Sequence, residues 1–502
     1  MTEHRFAQSN ETGIGMKRIV VSAALLATTA IGAQAADLAA QTPYYKAPVA
    51  AQIYDWTGFY FGANAGVGLG RSLTQLTVPS GGTAFAERSQ FGAAGAIGGG
   101  QIGYNWQLRN IVVGIETDLQ GSSIEDNRSC GLYCQPTTPG IFARFDQKLD
   151  WFGTVRGRIG LASGPVLSYV TGGLAYGGVS TSINESLPGP GGAVSLASAS
   201  AGGTRTGWTI GSGFEAALGG NWTGKLEYLY LDLGNESNAL PFTALPGQSI
   251  SSDIREHIFR AGVNYRIGGN GNSASEPTAN WTGLYVGGNG GSGTAIDKSS
   301  APVAATAGGP PVFAEVFNLS PDGYLGGAQI GYNWQAANWV FGLETDIQGS
   351  TQKDNKACQY ICATVPVLEA VTYAQQLPWF GTARARVGYS VGSSLFYATG
   401  GLAYGEVRTD IGYHLATTAN LEFSHARTGW TVGAGIESPF ELFGLFGKNW
   451  TAKTEYLYVD LGSSSDSNAL PGEFWKFDTH VQEHIFRTGL NYHFNNPVVA
   501  RY

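Results

Sequence analysis

The segment IGGGQIGYNWQLRNIVVGIETDLQGSS, Ile97 to Ser123, constrains this chain more than any other. It returns as LGGAQIGYNWQAANWVFGLETDIQGST, Leu325 to Thr351, a shift of 325 − 97 = 228 residues. Within it, Ile111, Val113, Ile115 and Leu119 alternate with Val112, Gly114, Glu116, Asp118 and Gln120. That is the period of two of a β-strand, with branched aliphatics on one face and carboxylates on the other. Ile102, Tyr104 and Trp106 alternate in the same way with Gln101, Gly103 and Asn105, and a short turn at Leu108-Arg109-Asn110 joins the two runs into a hairpin. A hairpin of this kind returning at so long a period indicates a repeat architecture.

The repeats can be bounded. The first, 56–267, runs from WTGFYFGANAG at Trp56 to EHIFRAGVNYRI at Ile267. The second, 281–494, runs from WTGLYVGGNGG at Trp281 to EHIFRTGLNYHF at Phe494. Between them GGNGNSASEPTAN (268–280) has the composition of a flexible linker. Residues 36–55 are an Ala/Pro-rich leader, and 495–502 form a tail. Each repeat divides into eight alternating segments, in the first near 57–68, 94–107, 111–121, 148–161, 165–178, 206–218, 221–233 and 254–267. Connections near 69–93, 122–147, 179–205 and 234–253 are long and rich in Ser, Gly, Pro and Asn; those near 108–110, 162–164 and 219–220 are short. An even number of antiparallel strands, with short turns at one end and long loops at the other, is the pattern of an outer-membrane barrel. The second repeat departs at SPFELFGLFGKN, Ser438 to Asn449, which replaces a short turn and is apolar enough to touch a membrane interface or a neighbouring barrel.

Composition agrees. Charged residues are 13% of the chain, about half the usual globular share, while Gly numbers 74 and aromatics reach 12%. A disordered chain would be poorer in aromatics and richer in charge. A net charge of −8 argues against a nucleic-acid partner. Met16-Lys17-Arg18, the apolar run Ile19 to Ala33 and Ala33-Gln34-Ala35 form the basic, apolar and cleavage regions of a Sec-type signal peptide. Cleavage is expected near Ala35, making 1–35 an upstream extension plus signal, with Met1 or Met16 as the start. No later apolar stretch reaches the ~20 residues a spanning helix needs, so a membrane span must be a closed barrel. Two tandem eight-stranded barrels are expected, each with complete first and last strands and its own balanced lumen charge. One barrel of sixteen strands is the alternative.

Strand parity divides each repeat into faces. Phe259, Ala261, Val263, Tyr265 and Ile267 oppose Arg260, Gly262, Asn264 and Arg266; Phe486, Thr488, Leu490, Tyr492 and Phe494 oppose Arg487, Gly489, Asn491 and His493. The aromatic face suits lipid and would be an aggregation hazard in water. The inward face of the first repeat carries Glu116, Asp118, Glu215 and Glu227 with Arg156, Arg158, Lys225, Arg260 and Arg266. The second carries Glu344, Asp346, Glu437 and Glu455 with Arg384, Arg386, Lys453 and Arg487. Paired carboxylates serve general acid–base catalysis in other settings. Here an eight-stranded barrel is just wide enough to be filled by its own side chains, and near-balanced charges inside it are expected to form an ion-pair network.

The remaining candidates read more plainly. Cys130, Cys134, Cys358 and Cys362 form two C-x3-C pairs at equivalent places, and in an exported protein they are expected as two local disulfides rather than bridges across the repeats. His257 and His484, each in EHIFR, are expected as outer-rim polar residues; no catalytic triad accompanies them. Tyr228, Tyr230, Tyr456 and Tyr458 suit an aromatic girdle. Gly-rich runs such as GAAGAIGGGQ lack the Lys and helix of a phosphate loop. No cofactor, metal or catalytic residue is expected.

The motifs WTGFYFGANAG, GGGQIGYNW, GIETDLQGS, WFGTVRGRIG, YVTGGLAYG, GWTIGSGFE, KLEYLYLDLG and HIFRAGVNYRI, in this order and twice, resemble the alphaproteobacterial outer-membrane-protein family of eight-stranded β-barrels. That family is similar to the OmpA membrane domain and includes rhizobial, pathogen-surface and haemin-binding members. The resemblance covers nearly all of 56–267 and 281–494, and the duplication and tail depart from it. It implies a structural, surface-exposed role in the envelope without catalysis. Porin-like transport, and haem or host-surface binding through the loops, are the alternatives. It implies outer-membrane lipid, lipopolysaccharide and the barrel-assembly machinery as partners, the last reading Phe494 or Tyr502 as its terminal aromatic.

Overall fold

The computed structural model describes residues 54–80, 83–129, 142–189, 192–239, 249–268, 279–304, 306–309, 311–357, 369–414, 418–440, 446–470 and 473–495. The signal segment, most of the leader and linker, the last residues of the tail and all four cysteines lie outside the described residues.

The described chain is almost wholly strand. In the first repeat the strands are β1 (Gly58–Ser80), β2 (Thr83–Phe91), β3 (Ala94–Leu108), β4 (Ile111–Ser129) and β5 (Phe142–Ser163), then β6 (Val166–Gly189), β7 (Gly192–Gly219), β8 (Trp222–Ala239) and β9 (Ser249–Ile267). In the second they are β10 (Gly283–Ala304), β11 (Pro311–Leu319), β12 (Asp322–Ala336), β13 (Trp339–Ala357) and β14 (Glu369–Val391), then β15 (Ser394–His414), β16 (Thr418–Pro439), β17 (Trp450–Leu470) and β18 (Glu473–His493). All pairings are antiparallel between neighbours. β2 and β3 flank the same edge of β1, from Ser72 to Ser80 and from Gly58 to Leu69, so they act as one interrupted strand.

Each repeat closes on itself. β1 pairs β9 from Phe59↔Ile267 to Thr77↔Ser249, and β10 pairs β18 from Tyr285↔His493 to Ala304↔Phe474. The result is two eight-stranded barrels, and the sixteen-stranded alternative does not form. Closure pairs the first and last strands of each repeat along the barrel, which is what permits a sheet to sit in lipid.

The strands are longer than sequence composition indicated. β6 has 24 residues and β7 has 28, whereas ~9–11 tilted residues cross a bilayer. Much of 69–93, 122–147, 179–205 and 234–253, read above as long loops, is therefore ladder. Their Ser, Thr and Gly content signals loop, but antiparallel partners hold the backbone extended, as in Thr181↔Ala201 and Thr74↔Ser252. The short turns lie together at the other end. Leu108 pairs Ile111 and Ser163 pairs Val166, each across two residues.

The outward faces of the two barrels meet. Tyr228 stacks on Phe486 at 5.6 Å, and Phe259 lies 5.4 Å from Tyr456. Tyr228 and Tyr456 occupy equivalent motif positions, as do Phe259 and Phe486, so the contacts exchange as across an approximate twofold. Phe259 and Phe486, expected to face lipid, are 4% and 5% exposed because the other barrel covers them. Below them Val166, Phe214 and Ala216 pack with Ile436 and Ala452, and Phe440 of the extended turn joins this cluster. Away from this contact the outward aliphatics and aromatics stay uncovered, as at Ile102, Leu119, Leu174, Trp334 and Ile347.

Candidate functional site: the charged layer of each lumen

The inward residues form a stack with three levels. At the short-turn end Trp56 folds under the first barrel. Its backbone N–H donates to Gln107 Oε1 at 2.6 Å and its indole to the Gly164 carbonyl at 3.2 Å. It packs with Val112, Leu167 and Tyr169 to make a floor, and Arg266 stacks over Tyr54 and Trp56 at 4.9 and 5.6 Å. Trp281 does the same in the second barrel, donating to Gln335 Oε1 and to Ser390 Oγ. There His493 takes the place of Arg266, stacking on Tyr285 and lying 3.1 Å from Glu437.

Above the floor lies the charged layer. In the first barrel Arg156 on β5 reaches Glu116 and Asp118 on β4 and Glu227 on β8, the latter two at 3.0 Å. Arg260 on β9 reaches Asp118 at 2.8 Å and Glu227 through Nε at 2.7 Å. Lys225 lies 3.0 Å from Glu116, and Arg158 3.1 Å from Glu215. Neutral donors complete the carboxylates: Tyr60 to Glu116 at 2.8 Å, Tyr169 to Glu227 at 2.9 Å, Thr154 to Asp118 and Asn264 to Glu215, both at 2.8 Å.

The second barrel repeats the pattern. Arg384 bridges Glu344, Asp346 and Glu455; Arg487 reaches Asp346 at 2.7 Å. Lys453 binds Glu344 at 2.8 Å and Arg386 binds Glu437 at 2.9 Å. In each barrel four carboxylates face four cations, and all sixteen side chains are buried. The cluster has no isolated pair. Each carboxylate serves two or more donors, because neighbouring strands bring their inward positions to one height.

Glycines make room for this packing. A Cβ at Gly103 would overlap the Tyr60 hydroxyl, and one at Gly213 the Tyr169 ring. Gly331 and Gly435 stand in the same relation to Tyr285 and Tyr397.

The third level is mainly apolar, with Glu256 in the first barrel and Glu483 in the second buried among its side chains. Ile124, Leu149, Phe152, Val179, Leu229, Leu231, Ile254 and Ile258 close the lumen above the charges. Leu377, Phe380, Val407, Leu457, Val459 and Ile485 do so in the second barrel. Sequence reasoning missed this level. Its signal was present: Leu229 and Leu231 continue the inward parity of Lys225 and Glu227. On β5 a bulge between Leu149 and Trp151 moves the inward set from even to odd positions.

The other sequence candidates lie outside the lumen. His257 and His484 face outward, and each ring nitrogen Nδ1 pairs with a tyrosine hydroxyl, Tyr228 at 2.9 Å and Tyr456 at 2.6 Å. Those two tyrosines stand at the contact between barrels rather than in a lipid-facing girdle. Tyr230 and Tyr458 pack beside Trp208 and Trp430 on the outer surface.

Residues 23–266 and 271–494 each match the family model for the outer membrane protein beta-barrel domain. The chain belongs to this family. It is an integral outer-membrane β-barrel protein carrying the domain twice. The 31 kDa outer-membrane immunogenic protein of Brucella melitensis biotype 1 is 37% identical over 254 residues, spanning 49% of this chain and 99% of that protein. The 25 kDa outer-membrane immunogenic protein of Brucella abortus biovar 1 is 31% identical over 250 residues, 50% of this chain and 97% of its own length. A 22 kDa outer membrane protein of Rhizobium leguminosarum bv. viciae is 38% identical over 136 residues, 27% of this chain and 52% of that one. Half of this chain thus aligns with nearly the whole of each Brucella outer-membrane protein.

Proposed function

We propose that each barrel is a sealed, non-catalytic and non-conducting anchor that presents its long strands and loops outside the cell. The observation that carries this reading is the filled lumen: an aromatic floor at Trp56 and Trp281, a neutralised charged layer, and a mainly apolar layer above it. Ions crossing it would have to displace buried, mutually paired charges, which is costly. The short turns face the periplasm and the long strand ends face outward, following the common orientation of such barrels. The word immunogenic in the Brucella names supports outward presentation by analogy.

The chain is exported with its signal cleaved near Ala35. Lipid and lipopolysaccharide surround the barrels, and the assembly machinery reads Phe494 or Tyr502. Cys130–Cys134 and Cys358–Cys362 form local bridges in the outer loops. Binding of haem or of a host surface molecule would belong to those loops and not to the lumen. A liposome-swelling assay with small sugars tests the seal. Vesicles carrying the refolded protein should swell no faster than empty ones, and sugar entry proportional to protein would favour the porin-like reading.

A further inference from the structure

The facing surfaces of the two barrels do not meet along their whole height. Beside the aromatic contact a crevice of about 420 Å³ opens between them. Its first-barrel wall is Ile111, Leu161, Val170 and Phe214; its second-barrel wall is Phe486 and Thr488. The mouth is open to the surroundings, with Val170 56% exposed, while the depth is closed, with Phe214 at 2%. Thr454 and Thr488 reach into it, but their hydroxyls bond each other at 3.1 Å.

Position decides what can fill this space. Ile111 follows the short turn at Arg109–Asn110, and Leu161 precedes the one at Gly164–Pro165. Phe440, from the longer turn of the second barrel, packs against the cluster of Phe214 and Ala216 at the lower end. The Tyr228–Phe486 stack holds the barrels at the upper end. The crevice therefore lies within the spanning part of the strands, in the half next to the short turns. A water there needs two to four polar partners; the wall is chiefly apolar, and beyond the mutually bonded Thr454 and Thr488 its side-chain hydroxyls are those of Ser168 and Ser212. Left empty, the lining residues would lose their dispersion contacts on one side. The hydrophobic effect gives no preference between protein and lipid here, because lipid tails are as apolar as leucine, so the fit of the filler decides.

We infer that this crevice holds one acyl chain of a phospholipid, retained between the barrels rather than exchanging with the bilayer at large. The volume is that of an ordinary small-ligand site, and an apolar slot walled by both barrels and closed in its depth by Phe214 suits a single flexible chain. The choice of phospholipid over lipopolysaccharide rests on the orientation proposed above, which puts the short turns and this half of the strands in the periplasmic leaflet.

Native mass spectrometry of the full chain, extracted in mild detergent and washed, tests it. Wild type should carry one phospholipid mass per chain. Ser212→Phe, which fills the crevice from the first barrel, should lose it while keeping the heat-modifiable band shift of a folded barrel. Thr488→Phe should do the same from the second barrel if Ser212→Phe fails to fold. Ile102→Phe, on the uncovered lipid face, should retain the lipid. No retained lipid on wild type, or a variable number unchanged by either crevice substitution, would overturn the inference and leave the orientation and the sealed lumen untouched. A single lipopolysaccharide in place of phospholipid would overturn the leaflet assignment and the orientation with it.

Discussion

At the scale of residues, the lumen behaves as one network. Arg156 serves Glu116, Asp118 and Glu227 together, so Arg156→Leu takes a cationic partner from three buried carboxylates at once. Breaking a buried pair costs ~3–5 kcal/mol, and the melting of the refolded barrel should fall accordingly. Adding Glu116→Leu should recover only part of this, because Glu116 also accepts from Lys225 and Tyr60. Full recovery in a double-mutant cycle would mean that Arg156 and Glu116 are an isolated pair. The glycines offer a cleaner contrast. Gly103→Ala meets the Tyr60 hydroxyl and the Ile115 carbonyl, and such overpacking costs about 1–3 kcal/mol. Gly157→Ala meets nothing within 4 Å and should stay within about 0.5 kcal/mol of wild type. Equal melting of the two variants would show that inner-face clearance at Gly103 does not matter. The charged positions were legible in the sequence because alternation alone assigns a side chain to a face. Their grouping was not, since the approach of Arg156 to Glu227 depends on how far each strand is staggered around the barrel.

At the scale of elements, the hairpins, short turns and order of strands were readable from period and turn residues. Strand length was not. Segments such as Val194–Arg205 carry the Ser, Ala and Gly of a loop, and only pairing with Arg205's own neighbours on β6 keeps them extended. The apolar layer was hidden for a related reason: Leu149 is inward only after the bulge beyond Trp151. Two outcomes belong here. Peptide tags inserted near Ser80, Thr138, Pro190 and Pro246 should be labelled on intact cells, and a tag near Ser275 only after permeabilisation. Labelling of the linker tag on intact cells would reverse the orientation. Non-reducing peptide mapping should recover Cys130 joined to Cys134 and Cys358 joined to Cys362. A Cys130–Cys358 peptide would instead tie the outer loops of the two barrels together.

At the scale of the whole molecule, duplication gives two complete barrels whose like faces meet. The faces that meet combine aromatics, Tyr228, Phe259, Tyr456 and Phe486, with the small residues Ala216 and Ala452. Close approach through small residues is a general device for packing within membranes. That the two would meet through these strands could not be read from one sequence, because outward parity does not say whether lipid or protein lies opposite. The account turns on each repeat closing alone around a lumen its own side chains fill. Single-channel recording in planar bilayers, on wild type and Arg156→Leu at equal protein, measures this most directly. Sealed barrels predict no large steady conductance in either, with the loss confined to melting temperature. A stable, large conductance in wild type, shifted toward cations by Arg156→Leu with melting unchanged, would contradict it.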